Sequence, residues 1–296
     1  MKHQFKITLL LLIAICCYSC INLKTLSSYS ENSVEAIKKY DEIGFSFKKV
    51  CEKNCEFQTN SDEKAIASRL GKGYKPIKKA SDCECDKYIE ADSSFNKIYF
   101  SSYQYLEGLK KLSSDEILTF KYDTLSKALK ETEILNIEDK EIDAFNKLIN
   151  VTTKFIVDTK RRKELTSIIS DANEPFQILI DNLKFAIDNP LKLSLETEID
   201  LEYNYYKALI FNQKELSLKE KIEIETNFTE KRDKILEKIQ LLSEYSKMLE
   251  EIKKGHQSLY ENRDKIHKQE IANLIAGYIT NVKELKTEFD NINTDE

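Results

Sequence analysis

Four cysteines stand in two close pairs, and cysteines grouped in this way either form disulfides or bind zinc. Cys51 and Cys55 are four residues apart, a spacing that puts both on one face of a helix. Cys83 and Cys85 are two residues apart, a spacing that puts both on one face of an extended segment. A zinc ion would need all four thiolates, and this spacing departs from the paired C-x2-C form usual in zinc sites.

His256 is the other side chain whose type and position suggest chemistry, since it lies on the apolar stripe of a predicted long helix. It could be a metal ligand or a base, or a core histidine hydrogen-bonded to a neighbouring helix. No Glu stands three residues before it, so the Glu-x-x-His signature of di-iron bundles is missing. His267 follows a predicted helix end, so the two histidines form no metal motif. We therefore predict a structural role for His256, with no metal and no cofactor.

The sequence contains none of the short motifs that identify common enzyme classes. It lacks the G-x-S-x-G of hydrolases, the Walker lysine loop and the glycine fingerprint of dinucleotide binding. Carboxylates are numerous, but they follow the polar faces of predicted helices, and no catalytic pair stands out. We therefore predict that the protein is not an enzyme.

Residues 1–19 have the organisation of a secretory signal peptide. A short basic segment, Met1–Lys6, precedes the almost wholly apolar run Ile7–Ile15. This run is too short to span a bilayer comfortably, which takes about 20 residues. A plain signal peptide or a short membrane anchor would share these features, so the residues at its end decide between them.

The end of this segment resembles the lipobox of bacterial lipoproteins, where a small residue precedes a cysteine that becomes lipidated. Ser19 and Cys20 match the pattern, whereas Cys17 and Tyr18 depart from it. The resemblance implies that Cys20 becomes the N-terminus and carries acyl chains that hold the protein at a membrane. Residue 21 is Ile rather than Asp, which implies the outer membrane and leaves its periplasmic or surface face open. Residues 20–30 are rich in Ser, Thr and Asn and are predicted to be a flexible tether.

An exported chain folds in an oxidising compartment, so the four cysteines of the mature chain are predicted to form disulfides. A bridge between Cys83 and Cys85 would close a strained ring, which favours pairing between the two groups. An antiparallel return of the chain favours Cys51–Cys85 with Cys55–Cys83 among the three possible connectivities. The bridges would bracket a predicted loop over 57–86, which contains Gly71, Gly73 and Pro76.

The composition indicates a helical, acidic protein. Charged residues make up 33% of the 296-residue chain, which has only 6 Gly and 3 Pro, proportions typical of long helices. The chain has 46 basic and 51 acidic residues, and the leader takes two lysines with it, so the net charge falls from −5 to −7. This balance argues against a nucleic-acid partner, which favours a basic surface.

Apolar residues recur at three- and four-residue steps, which predicts an all-α fold. We expect an elongated antiparallel bundle of about six or seven helices with a disulfide-pinned N-terminal loop, forming a single domain over 31–296. Three tyrosines (Tyr203, Tyr205 and Tyr206) are expected at the edge of the core rather than on a ligand face. The predicted helices are 31–56, 87–112, 115–133, 138–173, 175–188, 193–212, 218–262 and 268–292, with a capping box at Ser217–Glu220 and Pro175 in a first helical turn.

The basic run Lys160–Leu165, with Ile168, Ile169, Ala172 and Pro175 after it, is similar to a segment of uncharacterised helical lipoproteins of bacteria. The likeness covers about sixteen residues and carries no activity with it, so it implies no reaction. We predict that Arg161 and Arg162 are buried polar side chains that donate hydrogen bonds to carbonyl or carboxylate groups between helices.

These observations favour a membrane-anchored envelope lipoprotein that acts as a non-enzymatic binding or scaffold module. Its expected partners are the membrane, through the lipid, and another envelope protein or peptidoglycan. A second hypothesis is a helical enzyme or metal-binding bundle with an internal site near His256, which would require two or more inward carboxylates. A third is a membrane-inserting helical toxin, which is disfavoured because no apolar run near 18 residues follows the leader.

Overall fold

The computed structural model describes residues 23–60, 83–114, 129–157, 161–212, 216–266 and 268–293. Apart from one isolated bridge between Thr132 and Ile137, these residues form helices and short connections. Single turns of helix lie at Tyr40–Ile43, Glu133–Leu135 and Arg263–Lys265. The longer helices are α1 (Leu23–Ile37), α2 (Phe47–Asn60), α3 (Lys87–Ser114), α4 (Asp139–Val157), α5 (Arg161–Ala186), α6 (Lys192–Asn212), α7 (Leu218–Glu261) and α8 (Gln269–Asn293).

The helices pack side by side as an elongated bundle, which confirms the predicted all-α fold. α7 is the central helix, because it contacts α1, α5, α6 and α8. α1 also packs on α3 and α8, α4 packs on α3 and α5, and α2 packs on α3 and α6. α7 contains 44 residues and is therefore about 66 Å long, so the two ends of the bundle are far apart.

Tyrosine side chains fasten α1 to α7 inside the core. The hydroxyl of Tyr29 donates to the carbonyl oxygen of Ile252 at 2.6 Å, and that of Tyr245 donates to the carbonyl oxygen of Ile37 at 3.0 Å. The ring of Tyr29 lies over Gly255, where an added Cβ would come within 2.5 Å of it. The start of α1 therefore lies beside the C-terminal part of α7, and the two helices run antiparallel.

Both predicted disulfides are present, and they hold α2 against the segment that leads into α3. Cys51 pairs with Cys85 and Cys55 with Cys83, with Cα atoms 5.8 and 6.1 Å apart. The Asp92 carboxylate, on α3, accepts hydrogen bonds at 2.7 to 3.2 Å from the Ser46 hydroxyl and from the first backbone N–H groups of α2. The covalent links and this cap fix the position of α2.

The predicted flexible tether over 20–30 is wrong from Leu23 onward, because α1 begins there. Leu26 and Tyr29 are buried in the core, although their neighbours are mostly serine. Ser30 donates to the carbonyl oxygen of Leu26 at 2.8 Å, so its hydroxyl is satisfied within the helix. The helix predicted over 31–56 is in fact divided at Gly44, which has a φ of +63° and ends a helical turn.

Two prolines lie inside helical structure rather than at predicted boundaries, Pro175 at the start of the helix predicted over 175–188 and Pro190 in the gap before the helix predicted over 193–212. Pro175 lies within α5 and not in its first turn, next to the fully buried Phe176. Pro190 lies in a π-helical turn, Ile187–Leu191, through which α5 continues into α6. Burial of neighbouring apolar side chains outweighs the cost of about 3 kcal/mol that a proline brings to a helix. At Pro190, the π turn accommodates a residue that has no backbone N–H to donate.

Two other predicted boundaries shift. The helix predicted over 138–173 is described as α4 and α5, with residues 158–160 between them outside the description. The helix predicted over 115–133 falls mainly on residues outside the description. Its described end, from Leu129, contains a 3-10 turn and the Thr132–Ile137 bridge instead of an α-helix. The remaining long helices agree with the predicted bounds to within two residues.

Candidate functional site

His256 is completely buried where α7 faces α3 and α5. Its Nε2 atom lies 2.7 Å from the hydroxyl of Tyr105, and its Nδ1 atom lies 2.9 Å from Oδ1 of Asn173. Because the amide nitrogen of Asn173 donates to Gln257 at 2.9 Å, Oδ1 accepts from the histidine. The proton is therefore on Nδ1, and Nε2 accepts from Tyr105.

The surroundings of His256 keep its imidazole neutral. Burial lowers the pKa of His256 to about 3, because the charged form would lose its hydration. The Phe176 ring lies 4.7 Å from the imidazole, centroid to centroid. Both ring nitrogens are already bonded, so the geometry is that of the structural histidine predicted from the sequence. In the described part of the chain, the imidazole contacts Tyr105, Asn173 and Phe176, whereas the enzyme hypothesis requires carboxylates.

Three predicted site residues receive no side-chain description. Cys20 lies outside the described residues, so its lipidation stays a prediction. α5 begins at Arg161, but the side chains of Arg161 and Arg162 lie outside the description. Of the predicted 57–86 loop, residues 61–82 also lie outside it. Within the described ranges, no group of three His, Cys, Asp or Glu residues is placed to hold a metal ion.

A pair of helices extends beyond the core at one end of the bundle. We call residues 203–212 of α6 and 218–230 of α7 the distal arm. The last buried side chain described on α6 is Glu202, and the first on α7 is Ile235. Within the arm, the Phe228 ring lies 5.8 Å from that of Tyr203 and 5.6 Å from that of Tyr206. The two helices of the arm therefore pack mainly on each other.

The sequence around residue 217 determines where the second helix of the arm begins. The hydroxyl of Ser217 accepts from the backbone N–H of Glu220 at 3.3 Å, and the Glu220 carboxylate accepts from the backbone N–H of Ser217 at 2.8 Å. This is the predicted capping box, and it satisfies two N–H groups at the start of α7. The Ser217 hydroxyl also donates to the Glu220 carboxylate at 2.7 Å. This hydrogen bond and the one from the backbone N–H of Ser217 lower the pKa of Glu220, because both favour the charged carboxylate.

The tip of the distal arm carries three exposed apolar side chains, which we call the apolar tip. Phe211 is 73% exposed, Leu218 is 76% exposed and Ile222 is 53% exposed. Leu218 and Ile222 are four residues apart and share one face of α7. Counted from the contact between Tyr206 and Phe228, Phe211 is five residues further along α6 and Ile222 is six residues earlier in α7, so the two are expected at about the same height in the arm. A group of exposed apolar side chains of this kind is characteristic of interaction surfaces.

The apolar tip and the start of α1 lie at opposite ends of the bundle. Tyr29 packs on Gly255, so Leu23 lies toward the C-terminal end of α7. Leu218 begins the same helix, 37 residues before Gly255, which corresponds to about 55 Å along α7. Whatever precedes Leu23 is therefore attached at the end that is farthest from the apolar tip.

Comparisons with protein-family models, with curated proteins and with solved structures find no match to this chain. None of the helices in the described ranges combines the length and the hydrophobicity needed to cross a bilayer. The function is therefore proposed from the sequence and the geometry of this chain.

The sequence drew attention to the arm tyrosines but not to the apolar tip. The three tyrosines were predicted at the edge of the core, and Tyr203 and Tyr206 instead hold the arm together. The regular apolar stripe of α7 begins at Phe228, so Leu218 and Ile222 fall outside it. Their position outside the stripe is the sequence feature that could have identified the apolar tip, because an apolar residue before the start of a core stripe is free to face solvent.

Proposed function

We propose that the protein is a non-enzymatic binding module of the bacterial cell envelope. It is tethered through lipid on Cys20 and contacts another envelope protein with its apolar tip. The observation that carries this proposal is the position of the tip, at the end of the bundle opposite to α1. A tether at one end and an exposed apolar surface at the other support a module that reaches away from a membrane.

The chemistry of the tip favours a protein partner over peptidoglycan. Phe211, Leu218 and Ile222 offer apolar area and no hydrogen-bonding groups. Apolar and aromatic anchors of this kind are typical of the centres of protein interfaces. A hydrated glycan would leave these side chains unmatched and would need polar groups to bind it. The partner is therefore expected to present an apolar groove or helix face.

The early start of α1 determines how the tether would act. Only Ile21 and Asn22 separate Cys20 from Leu23, the first residue of α1. Lipid on Cys20 would therefore hold this end of the bundle close to the bilayer. The apolar tip would then stand up to about 55 Å from the membrane, as measured along α7.

The partner proposal is tested by site-specific photocrosslinking in the cells that make the protein. A crosslinker replaces Leu218 or Ile222 at the tip, or Asn273, which is exposed near the start of α8, as the matched control. We expect both tip positions to yield the same protein adduct, the control position to yield none, and Phe211→Ser to reduce the adduct. Equal yields at all three positions, or adducts with glycan or lipid only, would overturn the protein-partner proposal.

The tether is tested separately by labelling cells with palmitate. The wild-type chain should incorporate label and remain with the membrane fraction, whereas Cys20→Ala should lose the label. Label that persists in Cys20→Ala would disprove lipidation at this residue, while leaving the arm experiment interpretable.

A further inference from the structure

A cleft of about 330 Å³ lies at the base of the distal arm, where α2, α6 and α7 meet. We call it the lysine cleft. Its volume is at the lower end of the range for small-molecule pockets. The apolar side chains that line it are Ile43, Phe45, Val50, Leu195 and Ile235. The basic ones are Lys49, Lys53, Lys231, Lys234 and Lys238, and the acidic one is Glu198.

One of the five lysines is already neutralised by carboxylates. Lys53 forms ion pairs with Glu198 and Glu202, two residues one turn apart on α6 that are 3% and 0% exposed. Its Nζ atom lies 3.3 Å from Oε1 of Glu202. Burying these carboxylates without a cation would be costly, so Lys53 has a structural task in joining α2 to α6.

The other four lysines leave positive charge facing the cleft. Among the described residues, no carboxylate lies within 4 Å of the ammonium groups of Lys49, Lys231, Lys234 or Lys238. Lys231 donates instead to the hydroxyl of Tyr206 at 2.9 Å, and this hydrogen bond raises the pKa of Lys231. In a chain of net charge −5, such a concentration of cations is a local exception that would attract anions.

The elements around the lysine cleft hold these groups in place. Lys231, Lys234 and Lys238 are spaced three and four residues apart, which puts them on one face of α7. Lys49 lies on α2, whose position is fixed by two disulfides and by the Asp92 cap. A ligand would therefore meet lysines whose backbone positions are preformed, although their side chains are exposed.

We infer that the lysine cleft binds a small molecule with an anionic group, phosphate or carboxylate, attached to a compact apolar body. The lysines around the cleft match the anion, and the side chains of Ile43, Val50, Leu195 and Ile235, each at most 9% exposed, match the apolar part. The cleft lies about 30 Å along α7 from the Gly255 level at which α1 begins to pack. A soluble ligand therefore fits its position better than a lipid of the tethering bilayer.

The test is a calorimetric titration of the full chain with phenyl phosphate and, in parallel, with benzoate. Inorganic phosphate supplies the anion alone, and phenyl glucoside supplies the apolar ring without charge. The cleft variant is Lys234→Gln with Lys238→Gln. The matched control is Lys219→Gln with Lys221→Gln, which removes the same charge from the same helix outside the cleft.

We expect phenyl phosphate or benzoate to bind the wild type. The cleft variant should bind it about tenfold or more weakly, because it lacks two charged donors for the anion. The control variant should change the Kd less than about twofold, with unfolding midpoints alike in all three proteins. If inorganic phosphate or phenyl glucoside bound as tightly as the aromatic anions, the inference that the ligand has both an anionic and an apolar part would be overturned. Equal weakening in both variants, or no binding of either aromatic anion, would overturn the site itself.

Discussion

Acidification from pH 7.5 to pH 5 should destabilise the protein through a single buried side chain, His256. The pKa of His256 is lowered to about 3 in the folded protein, against an ordinary value of 6.5 in the unfolded chain. The unfolded chain therefore takes up a proton first as the pH falls. The stability that comes from a neutral, buried imidazole is complete above pH 6.5 and is lost progressively between pH 6.5 and pH 3.

The size of this effect follows from the two pKa values. At pH 5 the proton bound by the unfolded chain reduces the free energy of unfolding by about 2 kcal/mol, and at pH 3 the reduction is about 4 kcal/mol. The hydrogen bond that Lys184 donates to Glu250 lowers the pKa of this carboxyl. Comparison with a variant that lacks His256 isolates the contribution of the imidazole from that of the carboxylates.

The assay is urea unfolding of the wild type and of His256→Gln at several values between pH 7.5 and pH 5. The variant should be less stable at pH 7.5, because the Tyr105 hydroxyl loses its acceptor, at a cost of about 1–3 kcal/mol. Its stability should nevertheless change much less with pH than that of the wild type. Parallel pH profiles, or an NMR titration of His256 in the folded protein near pH 6.5, would refute the reasoning. Either result would indicate an accessible imidazole and revive the hypothesis of an internal polar site.

The other stability predictions concern backbone conformation and covalent links. Gly44→Ala should destabilise by about 1 kcal/mol because its φ of +63° strains a residue with a Cβ, whereas Gly277→Ala, in an exposed helix with free space, should stabilise by about 0.5–1 kcal/mol. Replacing Cys55 and Cys83 by Ser should cost only about 2 kcal/mol while Cys51–Cys85 remains, because the nested bridges constrain overlapping loops. Removing both bridges should cost about 6 kcal/mol. Chemical unfolding curves check all of these values. Equal changes in stability for the two glycine variants would contradict the first prediction, and strictly additive stability losses for the two disulfides would contradict the second.

The parts of the fold that the sequence predicts well are those in which one local signal decides the outcome. α7 was predicted over 218–262 and spans Leu218–Glu261, because a long apolar stripe and a capping box agree. The disulfide pairing followed from helical spacing at Cys51 and Cys55 and extended spacing at Cys83 and Cys85. Each of these signals lies within a few residues of the feature it predicts.

The failures occur where tertiary packing overrides local preference. The serine-rich start of α1 looks like a linker, yet Leu26 and Tyr29 reach the core and keep it helical. Pro175 and Pro190 look like helix ends, yet buried neighbours and a π turn carry the helix past them. These outcomes depend on residues far away in sequence, and helix propensity is too weak to predict them.

The lysine cleft was also beyond prediction, because its walls come from three separate segments. Spacing alone shows that Lys231, Lys234 and Lys238 share a face of α7, and a run of lysines on a helix is ordinarily a solvated surface. The distinguishing facts are the nearby Lys49 on α2 and the use of the buried Glu198 by Lys53. Both are contacts between elements, so they become visible only in three dimensions.

The lysine cleft suggests a physical reason for the location of the disulfides. Among the described side chains of α2, the buried apolar ones are Phe47 and Val50, and both belong to the same core as side chains of α1, α3, α5 and α7. The two disulfides add covalent links to this packing. The bridges reinforce the helix that forms one wall of the lysine cleft, and Cys51 lies midway between Lys49 and Lys53 on it. Stabilising that wall keeps the charged groups in register with α7, which a loosely held helix could not do.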